Sequence, residues 1–312
     1  MLRRLGTLMV TLAILSLPAV AASAARTAPG ALARTSAHPV LTVSGAVSSP
    51  ANYTLSQLEA LPAATVTLPV PGGHVTATGV SLNSLVNAAA PVLPADKNAL
   101  LRVLVTASGP SGRPVTFALG ELDPGFGDHD ALIMLSVNGR PLAAGPALAV
   151  PGDRAPVRDL PVVRRIRVGV TNPAVTTPPS PGALVVEDGP WRTVLSAATL
   201  AALPAETKTV TFEAGTGAQT HTETGPTLAA VLRAAHIGAG PNTWVAAVGS
   251  DGYVATVTPA EASVGGRPLL ISLAEDGIPL TAPRLITDGD VKGGRYVSAV
   301  DDLIVGQGAP AG

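Results

Sequence analysis

The residues best suited to chemistry lie together towards the C-terminal end, in PRLITDGDVKGGR (283–295). Arg284, Lys292 and Arg295 supply three cations there, and Gly293-Gly294 leaves backbone N–H groups without side-chain cover. A loop of that composition holds an anion through backbone dipoles and a charged fork. Arg284, Lys292, Gly293, Gly294 and Arg295 are therefore the candidate binding residues. His74 and His221 precede Gly79 and Gly225 by five and four residues, but metal centres usually need three or more convergent ligands. Asp128-His129-Asp130 packs three potential ligands into one run whose adjacent side chains diverge, which reads as a solvated loop. No metal site and no catalytic acid–base pair is assigned. Asp251-Gly252-Tyr253 lies between an apolar stretch and an alternating one, so Asp251-Gly252 is expected to be a hairpin turn, with a role for Asp251 at a pocket rim as the alternative.

Composition limits the classes of partner. The 312 residues carry a net charge of −1, with 13% charged and 46% hydrophobic residues. Nucleic-acid binding needs clustered positive charge to displace phosphate counterions, and no such cluster is present. There is no cysteine, hence no disulfide, thiolate ligand or cysteine nucleophile. HExxH, P-loop, dinucleotide-binding and GxSxG patterns are absent too. The 33 glycines and 30 prolines suit many short elements joined by tight turns.

Those elements must position the candidate residues. Arg3-Arg4, the apolar run Leu5 to Leu17, Pro18 and Ala22-Ser23-Ala24 form the layout of a secretory signal peptide over 1–24. The run is short against the roughly 20 residues that span a bilayer, so a secreted or periplasmic protein with no membrane span after cleavage is expected. Beyond a flexible segment (25–38), one order of motifs occurs twice. LSQLEALPA (55–63), TGVSLNSLVNAA (78–89), VTFALGE (115–121) and NGRPL (138–142) lead to a run ending RRIRV (164–168). AATLAALPA (197–205), TGPTLAAVLRAA (224–235), ATVTPAE (255–261) and DGIPL (276–280) lead to a run ending DDLIV (301–305). Gly145 to Val168 aligns without a gap at an offset of 137, which pairs Arg158 with Arg295, Ala155 with Lys292 and Ala147 with Arg284. A duplicated unit is expected, as domains 39–170 and 183–306, with a Pro-rich linker (171–182) and a tail (307–312). Thr54 with Gln57 reads as a capping box before a short helix, and Val80, Leu82, Leu85 and Val86 mark a second amphipathic helix. Strands and short helices interleave without a βαβ rhythm, so an α+β fold with mixed sheets is predicted.

The quoted segments, followed in each half by GPALAVPGD or by APRLITDGDVKGGRYVSAVDDLIV, resemble the oxidoreductase molybdopterin-binding domain of the sulfite oxidase family. The resemblance implies two tandem copies of that α+β fold and molybdopterin as the cofactor, with the 283–295 region contributing to its pocket. The family's enzymes bind molybdenum through a cysteine thiolate. At that place this chain has TVTLPVPGGH (65–74) and TVTFEAGTGAQTH (209–221), which hold no soft ligand. The expected function is a binding or accessory module, without molybdenum redox catalysis, for a small anionic or pterin-like ligand or an envelope protein. A molybdopterin-dependent oxidoreductase and a structural or adhesive envelope protein are the alternatives.

Overall fold

Apolar stretches cut every few residues by Gly or Pro cannot sustain long helices, and this chain builds strands from them. The computed structural model describes residues 38–174, 180–215, 217–263 and 267–310. The expected signal peptide, most of segment 25–38, the middle of the linker and the last two residues lie outside the described residues.

The first half begins with β1 (Leu41–Gly45), β2 (Ala51–Tyr53), α1 (Leu55–Glu59), β3 (Ala64–Val70), β4 (Gly73–Ser81) and α2 (Leu82–Ala88). It continues with β5 (Val103–Ser108), β6 (Val115–Ala118), α3 (Leu119–Leu122), β7 (Leu132–Val137), β8 (Arg140–Pro141), β9 (Ala147–Ala149) and β10 (Arg165–Val170). The second half begins with β11 (Leu184–Asp188), β12 (Trp191–Leu195), α4 (Ala197–Ala201), β13 (Ala205–Ala214), β14 (Gly217–Pro226) and α5 (Leu228–Ala234). It ends with β15 (Thr243–Gly249), β16 (Val254–Val257), β17 (Leu269–Glu275), β18 (Ile278–Thr287) and β19 (Val300–Gln307).

These strands form four small sheets, ordered β2-β1-β10-β5-β6, β3-β4-β7-β8 with β9 on β7, β12-β11-β19-β15-β16, and β13-β14-β17-β18. This corrects the α+β sulfite-oxidase-type prediction. The protein is mainly β, with 47% of the described residues in strands and 15% in helices, and its sheets are set as the blades of a four-bladed β-propeller. The blades are not consecutive in the chain, because β1 pairs in parallel with β10 and β11 with β19. The physical reason for the miss is helix length. Apolar periodicity over two turns reads as a packing helix, yet α1 to α5 span only four to seven residues. They close sheet ends and cannot form a layer of their own. The described residues form one compact unit, and each sheet takes its strands from one half of the chain alone.

The local reasoning holds where side chains decide it. Thr54 caps α1 with a full capping box, accepting from Gln57 N while Gln57 Oε1 accepts from Thr54 N. Gly79 and Gly225 sit at matching places in β4 and β14, where an added Cβ would stand 2.0 Å from the Ile133 carbonyl oxygen and 2.1 Å from that of Ile271. No side chain fits, so both glycines are fixed by strand approach. Each half has its own apolar core. One is built around Val43, Leu58, Leu85, Phe117 and Ile166, the other around Leu184, Leu200, Val231, Val257 and Leu303. Leu101, from the first half, belongs to the second core. The start of the expected linker is pinned, because Arg102 donates to the Thr171 carbonyl (3.0 Å) and to Asn172 Oδ1 (2.6 Å). Residues 308–310 cross back onto the first sheet, where Ala309 N donates to Thr106 Oγ1 (2.6 Å) and Pro310 lies over Gly169. No helix among the described residues is long and apolar enough to cross a membrane.

Candidate functional site

The 283–295 candidates divide between two neighbouring places, an open cleft and a buried charge cluster. Lys292, Gly293 and Gly294 face a cleft of ≈ 400 Å³ whose walls also include Lys97, Asn98, Phe126, Glu213, Tyr253 and Tyr296. Three of these side chains are aromatic. Lys97 and Lys292 come from different halves of the chain, and both are exposed. Tyr253 is held by its hydroxyl, which donates to the Gly294 carbonyl (2.5 Å) and accepts from Asn98 Nδ2 (3.0 Å). Tyr296 stacks on Phe212, with ring centroids 4.3 Å apart.

The turn preceding Tyr253 explains its placement. Gly252 has φ +81°, and Asp251 Oδ1 accepts from Tyr253 N (3.0 Å). Asp251-Gly252 is thus the hairpin turn between β15 and β16, and Tyr253, the residue after it, lines the cleft. The Gly293-Gly294 pair has a different role from bare anion-binding backbone. An added Cβ on Gly293 would meet Phe212 at 2.5 Å, and one on Gly294 would meet Phe126 at 2.4 Å. These glycines let the loop lie flat under two rings.

Arg295 lies beneath the cleft and is 3% exposed. Its Nε and Nη2 form a fork on Asp290 (2.8 and 2.5 Å), and Nη1 donates to Glu261 Oε2 (2.6 Å). Arg158, fully buried in the first half, makes the same pattern with Asp153 (2.8 and 2.7 Å) and Glu121 Oε1 (2.5 Å). The two clusters meet at Thr258. Its N–H donates to Glu261 Oε1 (2.9 Å) and its hydroxyl to Glu121 Oε2 (3.3 Å). Between them is a cavity of ≈ 10 Å³ lined by Glu121, His129, Glu261, Arg267, Asp288 and Arg295, among others. That is about the space of one water.

Electrostatics differ across the pair. Burial, reinforced by the nearby Glu121 charge, pushes the Glu261 carboxyl up to about 7 against the pull of Arg295. Burial acts on Glu121 in the same sense, but the Arg158 guanidinium and the hydrogen bond from His129 outweigh it and hold this carboxyl below its usual range. Burial would lower His129, yet its contacts with Glu121 (3.1 Å) and the Pro151 carbonyl (2.7 Å) outweigh that and raise it.

The remaining sequence candidates are dispersed. Arg284 Nη1 donates to Glu223 (3.0 Å) and Glu275 (2.5 Å), within the sheet β13-β14-β17-β18. His74 is exposed, and His221 contacts Asp276 (3.2 Å). In the 128–130 run the side chains diverge, since His129 turns to Glu121 while Asp130 accepts from Asn83 N and Ala131 N. No group of three or more His, Asp or Glu among the described residues could hold a metal ion. Sequence reasoning missed Phe126, Tyr253, Lys97 and the glutamate pair. The pair had a signal, because Glu121 and Glu261 end the matched segments VTFALGE and ATVTPAE.

The residues present do not fit molybdopterin as the resemblance implies. Both arginines expected in its pocket are committed to carboxylates, and the chain offers no thiolate. No family model and no curated protein matches the chain. Among solved structures it is similar to the sulfane dehydrogenase SoxCD from Paracoccus pantotrophus, at 15% identity over 84% of this chain and 77% of that one, with a TM-score of 0.33.

Proposed function

We propose that this protein is a binding or accessory module, exported to the cell exterior or periplasm, that takes a small anionic ligand with a flat ring. The observation that carries the reading is the cleft of ≈ 400 Å³ where Lys97 and Lys292 flank Phe126, Tyr253 and Tyr296. Ring faces offer stacking surface, and two lysines offer point charges that need no fixed approach angle. Neither lysine has a carboxylate within 4 Å among the described residues, so both remain free to meet an anion. The export part of the proposal rests on the N-terminal sequence alone.

The test is titration calorimetry of the full chain with 6-carboxypterin, with benzoate and with inorganic phosphate. Saturable binding of 6-carboxypterin is expected, weakened about tenfold or more in Lys292→Ala and in Lys97→Ala, with thermal stability unchanged in both. Absence of saturable binding for all three anions would overturn the proposal. The assembly alternative draws on Trp191 (76% exposed) and Ile278 (70% exposed), which sit beside hairpin turns. Capture of an envelope protein that is lost in Trp191→Ser, with no small-anion binding, would favour it.

A further inference from the structure

The buried cluster contains more acid than base. Four carboxylates (Glu121, Asp153, Glu261 and Asp290) face two guanidinium groups (Arg158 and Arg295), all with side chains 6% exposed or less. Protonated His129, on the loop after α3, adds one positive charge beside Glu121. Arg267 and Asp288 line the same small cavity with opposite signs, so they leave the sum unchanged. One negative charge is left over. An uncompensated buried charge costs several kcal/mol, and two carboxylates sharing a site relieve it by keeping a proton.

We propose that Glu121 and Glu261 hold one proton between them and that this proton locks the two halves of the chain together. The geometry places the lock where Thr258 and one small cavity join them. Glu121 belongs to α3 of the first half, Glu261 to the 3₁₀ turn Pro259–Ser263 of the second, and Thr258 bonds to both. Gly120 and Gly127 leave room for the Arg295 side chain against the first half; an added Cβ at either would come within 2.9 Å of it. When the pair carries two negative charges, repulsion acts across that joint. The proton resides on Glu261, because Arg158 and His129 stabilise the charge on Glu121. A carboxyl raised from 4.5 to about 7 makes the folded chain bind more protons than the unfolded one between those values. Stability therefore falls as pH rises through that window. His129 acts in the same sense from about 6.5 upward.

The test is the proton balance of unfolding of the full chain at pH 6, by calorimetry in buffers of different ionisation heat. About one proton should be released per molecule, and the folding constant should fall about tenfold per pH unit between pH 5 and 7. Glu261→Gln keeps an acceptor for Thr258 and should remove most of the pH 6 release and the fall between pH 5 and about 6.5, leaving the His129 contribution above that. His129→Gln should leave the pH 6 release in place, and Glu121→Gln should move the window to lower pH by relieving the repulsion. Wild-type protein that releases no proton at pH 6, or Glu261→Gln protein that keeps the same pH slope, would overturn the proposal. The wild-type proton count decides the matter even if no variant folds.

Discussion

Arg158 and Arg295 occupy equivalent places 137 residues apart, and each forks onto an aspartate while reaching a glutamate with its remaining nitrogen. The loops that carry them differ. In the second half Lys292, Gly293 and Gly294 precede the arginine and face an aromatic cleft; at the matching positions of the first half stand Ala155, Pro156 and Val157. The arginine is thus the anchor of each loop, and the residue three places before it decides whether the loop also presents a cation to an open cleft. A buried fork of charge-assisted hydrogen bonds fixes a loop well, but it uses up the donors that would hold an anion.

The comparison is broken or sharpened most strongly by removing the anchors. Arg295→Met should cost about 3–5 kcal/mol, because Asp290 and Glu261 are left buried without their cation. Arg158→Met should cost less, since His129 continues to pair with Glu121. Urea unfolding of both variants at pH 7 reads the difference, and a larger loss in Arg158→Met would show that His129 offers no support. Next come the strand glycines. Gly79→Ala and Gly225→Ala should each lose about 1–3 kcal/mol by overpacking, to a similar degree because both meet a carbonyl at about 2 Å. Tyr253→Phe removes the bond to the Gly294 carbonyl and should lower stability by about 0.5–1.5 kcal/mol, together with weaker ligand binding in the cleft. The smallest effect belongs to the helix caps. Thr54→Ala should cost about 1 kcal/mol, slightly more than Ser196→Ala, because Thr54 has a reciprocal Gln57 and Ser196 only Thr199.

Local structure was legible wherever neighbouring residues determine it. The capping box at Thr54 and the Asp251-Gly252 turn depend on groups within three or four positions, and both stand where the sequence places them. The second predicted helix starts at Leu82, because Val80 belongs to β4. What could not be read is set by distant pairing. The parallel register of β1 with β10 joins residues more than 120 positions apart, and no periodicity announces it. The same holds for the cleft, whose Lys97 and Phe126 arrive from the first half to meet Tyr253 and Lys292. Arg295 misled because exposure of a cation is the usual case, and only the convergence of Asp290 and Glu261 from elsewhere makes its burial tolerable.

The crossing of residues 308–310 onto the first sheet has a consequence for biosynthesis. A ribosome makes Thr106 and Gly169 long before it makes Ala309 and Pro310, so the nascent first half emerges with part of its surface unclosed. Chains translated in order fold domain by domain only when each domain is complete in itself. Here that closure waits until 203 positions after Thr106 have been added, so the first sheet completes its contacts only after the second half has been made.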